Sequence, residues 1–267
     1  IVQMPYFVYI SKTVAASDVS GIYTKYGIWT IDNLDVYSVE KTSNSIQKTK
    51  TMPAPNVSVP VSGSYTYNTS PRIFITTGTD ADNREHIVEV KIGSGDWQDS
   101  VNNPTLFSVS GLLANNTDTI FKPQSQNEGS KTFTVKSMDE AYRSASASVS
   151  RTITILPSPF ETITANATTV QAAHMNALRT AVNNVRSYYG LTAASWSEEI
   201  ISKRTLIRNW SNHITEIREA IEDIIDVING FDGGGIFGIT MPEWEEIGNT
   251  RPSASAVTQI QNLILQL

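Results

Sequence analysis

The chain has 267 residues, of which 40% are hydrophobic and 17% charged, so it is neither a disordered acidic chain nor a coiled-coil rod. Its formal net charge is -6 and it has no cysteine, which excludes disulfide frameworks, zinc fingers and thiol nucleophiles. The sequence has no basic stripe that would bind nucleic acid, and no apolar run reaches the roughly 18 residues of a membrane span.

Residues 1–52 predict an N-terminal β arm followed by a linker. The aromatic segments YFVYI and GIYTKYGIW have strand character, and they would either form a small sheet or lend strands to a neighbouring chain. The stretch Lys41–Pro60 contains three prolines and no apolar period, which is typical of a linker or an extended arm.

Residues 53–158 predict an antiparallel β-sandwich. Turn-rich clusters such as GTDADN, GSGD and QNEGS separate short segments that alternate in polarity or are rich in β-branched residues. Those predicted strands are Arg72–Thr77, His86–Ile92, Thr132–Ser137 and Ser148–Ile155. Because no helical period lies between them, we expect them to pair within one sandwich.

Residues 159–267 predict a small helical bundle of degenerate repeats, with helices near residues 172–189, 211–229 and 254–267. Apolar residues recur there in steps of three and four, which is the seam of an amphipathic helix. The seam residues are Met175, Leu178, Val182 and Val185, then Ile214, Ile217, Ile221 and Ile224, then Val257, Ile260 and Ile264. A single such helix cannot bury its seam, so we expect the helices to pack on each other or on another subunit.

The repeat extends beyond the seams. HMNALRTAV (His174–Val182) aligns with HITEIREAI (His213–Ile221), whereas AVTQIQNLI (Ala256–Ile264) keeps the seam but loses the His and the Arg. The connectors GLTAASW (Gly190–Trp196) and GITMPEW (Gly238–Trp244) also correspond, with DGGG inserted before the second. We expect the two tryptophans to plug the core rather than to bind sugars.

Few residues are suited to chemistry. His213 and Glu216 have the spacing of two metal ligands on one helical face, but Ala177 replaces the Glu in the first copy, so a structural role is favoured. The DADN turn lacks the terminal Glu of a calcium loop, which favours a plain Asx turn. We therefore predict no catalytic residue, no metal site and no cofactor.

Two family resemblances add to these patterns. The stretch from about Pro71 to Pro157 resembles the Ig-like domains of bacterial surface proteins and bacteriophage virion proteins, through HIVEVKIGSGDWQ and KTFTVKSMDEAYRSASASVSRTITI. The helical half resembles a repeat of large secreted bacterial and phage tail proteins, with the pattern H-I-x-E-L-R-x-A-I and a following Trp connector. Both resemblances imply an architectural or adhesive role and neither implies a reaction.

These observations together favour a non-enzymatic structural protein of a bacteriophage virion, placed in the tail, beside a fibre or as a capsid decoration. It would act by self-association through the seams, by docking to other virion proteins and by surface display. The alternative is a secreted or cell-surface adhesin that binds a host-surface glycan through Trp97, Tyr65 and Tyr67. A third hypothesis is a non-catalytic domain of a larger hydrolase, since the chain does not open on Met.

Overall fold

The computed structural model describes residues 28–32, 35–39, 51–141, 144–163, 170–198, 210–231, 236–247 and 252–267. Contacts divide the chain into two compact units, Ile1–Thr51 and Met52–Leu267. In the first unit, strands β1 (Ile28–Asp32) and β2 (Asp35–Val39) form an antiparallel hairpin. The rest of the predicted arm and linker before residue 51 lies outside the described residues, as does the DGGG insertion.

The second unit begins with eight strands in two sheets. The strands are β3 (Asn56–Val59), β4 (Tyr65–Thr66), β5 (Ile73–Thr76), β6 (His86–Ile92), β7 (Trp97–Asp99), β8 (Asp118–Phe121), β9 (Gly129–Asp139) and β10 (Val149–Ile155). One sheet has the order β4-β10-β9-β6-β7, and the other has the order β3-β5-β8. All neighbours are antiparallel except β4 and β10, which are parallel. The four strands predicted from sequence are β5, β6, β9 and β10.

Alternation along β3 and β9 sends one set of side chains into a core between the two sheets, whereas β5 and β8 have consecutive buried residues. In β9, Phe133 and Val135 are fully buried, while Thr134, which lies between them, is partly exposed. Val57 and Val59 of β3 enter the same core from the opposite sheet. The period of two therefore defines an inner and an outer face for the five-stranded sheet.

Three helices follow the sandwich: α1 (Ala172–Tyr188), α2 (Trp210–Phe231) and α3 (Ala254–Ile264). Helix α3 begins where the Ser253 side chain accepts a hydrogen bond from the Ala256 backbone N–H at 2.9 Å. Helix α1 begins where the His174 ring Nδ1 accepts the Gln171 backbone N–H at 3.0 Å. Among the helices that the structure describes, none has the length and apolarity needed to cross a bilayer.

The sandwich and the helices share one hydrophobic core. The boundary predicted near residue 158 therefore lies inside a single compact unit. The Phe74 ring on β5 stacks on the Phe231 ring of α2, with centroids 4.4 Å apart. The Tyr188 hydroxyl at the end of α1 donates to the Arg72 carbonyl at 2.7 Å. The chain from Met52 onward thus combines a β-sandwich and helices in a single unit of mixed β and α content.

Candidate functional site

The seam residues lie in the interior of the chain itself. Each of them is buried, with no exposed side-chain surface: Met175, Leu178, Val182, Val185, Ile214, Ile217, Ile221, Ile224, Val257, Ile260 and Ile264. Helix α1 contacts both α2 and α3, and it also packs against β4 of the sandwich. The seams that could have joined separate subunits are therefore satisfied within one chain.

The tyrosine pair proposed to bind glycan is split between surface and interior. Tyr67 is only 7% exposed, and its hydroxyl accepts a hydrogen bond from the Asn184 side chain at 2.7 Å. Burial raises the pKa of Tyr67, although the Asn184 hydrogen bond lowers it in part. The expectation of an exposed Tyr67 must be corrected, because the residue joins the sandwich to α1. Tyr65 is 44% exposed and remains accessible.

Tyr65 and Trp97 share the outer face of the five-stranded sheet, which we call the display face. Trp97 is paired with Lys91 on β6, and Tyr65 with Thr154 on β10. These two aromatic residues lie on the opposite edge strands β7 and β4, so four strand spacings of about 4.8 Å, or about 19 Å measured across the sheet, separate them. They cannot stack on the same sugar ring.

Cations cover the Trp97 ring. The ammonium of Lys136 lies 4.3 Å from the ring centroid, and that of Lys91 lies 4.9 Å from it. Lys136 also forms an ion pair with Glu89 at 2.8 Å. Between the two edges, the hydroxyls of Thr132 and Thr152 are 2.9 Å apart and bridge neighbouring strands. The display face therefore carries threonine hydroxyls at its centre, two lysine ammonium groups, and one aromatic ring on each of its two edge strands.

The DADN turn is held by an ion pair. Asp80 is 2% exposed, and its carboxylate accepts hydrogen bonds from the Arg84 backbone N–H, Nε and Nη2 at 3.0–3.1 Å. These bonds, above all those from the Arg84 side chain, lower the pKa of Asp80 from its ordinary 3.8 to about 2. Asn83 adopts a left-handed conformation with φ of 53°, as an Asx turn allows. In the part of the chain that the structure describes, no cluster of His, Asp and Glu could hold a metal ion.

The acid sensitivity of this turn can be measured. Because the folded-state pKa of Asp80 is depressed, its stabilising contribution is complete above about pH 4 and is lost as pH falls toward 2. We expect the unfolding free energy of the unaltered chain to fall by about 2 kcal/mol more than that of Asp80→Asn over that range. Urea unfolding of both proteins at pH 5, 4, 3 and 2 provides the comparison, and parallel curves would contradict the assignment to Asp80.

The tryptophan connectors contain an arrangement that sequence reasoning missed. The Arg179 guanidinium of α1 lies 4.8 Å from the Trp196 ring centroid, and its Nη1 donates to the Glu198 carbonyl at 2.7 Å. Arg218 of α2 lies 4.9 Å from the Trp244 ring and donates to the Glu245 carbonyl at 2.8 Å. We call this arrangement the Arg–Trp clasp. Its signal was present, since each Arg and each Trp recur together in the sequence.

The next helix closes each clasp. The backbone N–H directly after Trp196, that of Ser197, donates to the Glu216 carboxylate of α2 at 2.9 Å. The N–H directly after Trp244, that of Glu245, donates to the Gln259 side chain of α3 at 3.4 Å. Burial raises the pKa of Glu216, but the Ser197 hydrogen bonds and the charge of Arg179 lower it below its ordinary value. Glu216 therefore positions the connector, whereas its spacing from His213 had suggested a metal ligand.

The three histidines are engaged in structural contacts. The His86 ring is fully buried, with its Nε2 2.9 Å from the Asn115 side-chain oxygen. His174 lies in the first turn of α1 and His213 lies in α2, and each Nε2 is 3.6 Å from a glutamate carboxylate earlier in the chain. Those carboxylates belong to Glu161 and Glu198.

Comparisons with known proteins gave distant likenesses. No protein-family model matches the chain, and no curated protein matches it. Among solved structures, a PKD domain of an M14-like peptidase from a Thermoplasmatales archaeon is 19% identical, with a TM-score of 0.30, over 40% of this chain and 99% of that one. A β-1,2-glucanase from Parabacteroides distasonis is 13% identical, with a TM-score of 0.22, over 67% of this chain and 24% of that one. Likenesses this weak carry no conclusion about function.

Proposed function

We propose that the chain is a non-enzymatic structural protein of a bacteriophage virion, in which Met52–Leu267 is a preformed module that presents the display face. The main support is that the side chains capable of catalysis or metal binding are engaged in structural contacts. The Asp80 carboxylate is bound by Arg84, and the rings of His86, His174 and His213 are buried against hydrogen-bonding partners. Such a module suits assembly and display, since these groups contribute to the packing of the chain itself.

We also infer that the three helices are a bundle of degenerate repeats. The Arg–Trp clasp occurs twice, with the arginines 39 residues apart in sequence and the same kind of backbone carbonyl bound each time. The residue that closes each clasp, Glu216 or Gln259, stands at the same place relative to its own seam. Shared contacts at equivalent positions are what a duplicated unit predicts.

Self-association in this proposal uses residues 1–51 rather than the seams. The seams are buried in the chain's own core, and contacts separate Ile1–Thr51 from the rest. The strand-forming segments of the N-terminal unit, which include the hairpin β1–β2, would then pair with another chain. We therefore assign attachment to the N-terminal unit and display to the sandwich.

Light scattering tests this division. We expect the full chain to have a molar mass that is a fixed multiple of 29.3 kDa across a tenfold concentration range, and the piece Met52–Leu267 to be a monomer. A full chain that is monomeric at every concentration would refute self-association and favour a binding module. If Met52–Leu267 were itself multimeric, the self-association contact would instead lie in the sandwich or the helices. Detection of the chain's peptides in purified virus particles tests the virion setting.

The display face favours a second candidate, an adhesin that binds an extended host-surface glycan. Tyr65 and Trp97 mark the two ends of a hydroxyl-rich surface, so a bound glycan would need several sugar units to reach both. We expect Tyr65→Ala and Trp97→Ala each to weaken binding on a glycan array. The exposed Ile236, changed to Ala, serves as the control. Arrays that show no binding by the unaltered chain would exclude this candidate.

A further inference from the structure

The ring of His213 is packed against a permanent cation. Its side chain is 2% exposed, and Nδ1 lies 2.9 Å from Nη2 of Arg179 on α1. A guanidinium has donors only, so Nδ1 accepts this hydrogen bond and carries no proton. The proton of the neutral ring is therefore on Nε2, which faces the Glu198 carboxylate at 3.6 Å.

Among the described residues, Arg179, Glu216 and Glu198 act on His213 in opposite directions. Glu216, on the same helix, accepts a hydrogen bond from the same Arg179 Nη2 at 3.0 Å, so it mainly neutralises the arginine. Glu198, in the segment before α2, would attract a protonated ring, but it is 49% exposed and screened by water. A proton on Nδ1 would break a buried hydrogen bond and place two cations 2.9 Å apart.

We propose that the contact between Arg179 and His213 is an acid-sensitive switch, which loosens the pairing of α1 with α2 when His213 takes up a proton. The unfolded chain protonates its histidines near pH 6.5, whereas the folded chain resists protonation at this position. The stabilising contribution of the contact is thus complete above about pH 6.5 and is lost as pH falls below it. Arg179 also holds Trp196 and the Glu198 carbonyl, so losing this contact weakens the first clasp.

The switch is tested by urea unfolding of the full chain between pH 7.5 and 5.5. We expect His213 to raise the unfolding equilibrium constant by as much as about tenfold per pH unit below pH 6.5. His213→Asn keeps a neutral acceptor for Arg179 and should remove this component. Arg179→Gln removes the cation, so it should remove the same component while lowering stability at all pH values. Slopes equal to that of the unaltered chain in both variants would overturn the proposal.

The chain offers a matched control. Arg218 forms the second clasp, but Ala256 of α3 stands where α2 has His213, so Arg218→Gln should destabilise the chain and leave the pH slope unchanged. Nitrogen-15 chemical shifts of the imidazoles in the unaltered chain supply a reading that does not depend on variants. We expect His213 at pH 6 to be protonated on Nε2 alone. A doubly protonated ring at pH 6 would refute the switch.

Discussion

Replacing Ile217 with Asp is expected to unfold the sandwich together with the helices, at a cost of about 4 kcal/mol or more. The Ile217 side chain is fully buried in a core that contains residues of both sheets and all three helices. A lone carboxylate there would lose its hydration without gaining a partner. We expect the melting temperature to fall by more than about 10 °C.

Hydrogen exchange shows whether the destabilisation caused by Ile217→Asp in α2 extends to the sandwich. If the unit is cooperative, amides of β9 (Gly129–Asp139) lose their protection together with those of α2. Thr215→Asp is the matched control, because Thr215 is exposed on the same helix two residues away and should tolerate the charge. Protection of β9 that survives in Ile217→Asp would mean that the sandwich is stable without the helices.

The seams illustrate what periodicity predicts well. Steps of three and four residues predicted three helices, and the structure has helices over Ala172–Tyr188, Trp210–Phe231 and Ala254–Ile264. Alternation likewise predicted four strands of the sandwich. Strands β3, β4, β7 and β8 were not predicted, and β4 and β7 have only two or three residues, which are too few to establish a period.

Side-chain contacts over long sequence separations could not be predicted in this way. Tyr67 looked like an exposed aromatic residue in a polar segment, and nothing near it in sequence reveals Asn184 as its partner. The Arg–Trp clasp is an intermediate case. The recurrence of Arg179 and Arg218 with their tryptophans was visible in the sequence, but the stacking required the connector to fold back on the preceding helix.

Arg72 provides the second large prediction, because it joins the sandwich to the last segments of the chain. It is 3% exposed; its Nε donates to the Phe237 carbonyl at 2.9 Å and its Nη1 to the Gln266 carbonyl at 2.8 Å. Arg72→Met keeps an apolar stem but removes both donors. The Gln266 carbonyl retains a hydrogen bond from Asn68, whereas no other hydrogen bond to the Phe237 carbonyl appears among the described residues. We expect a loss of about 2 kcal/mol or more.

A second arginine separates this effect from the general cost of losing a guanidinium. Arg151 donates to the Val57 carbonyl at 2.8 Å, but it is partly exposed. Both residues belong to the sandwich, so this hydrogen bond does not involve the helices. Water can replace that donor, so Arg151→Met should cost within about 1 kcal/mol. Urea unfolding followed by helical circular dichroism and by hydrogen exchange of β9 compares the two variants. Equal losses of unfolding free energy would show that Arg72 contributes no more than Arg151. A larger loss for Arg72→Met on both probes would show that the buried Arg72 holds the sandwich to the helical part of the chain.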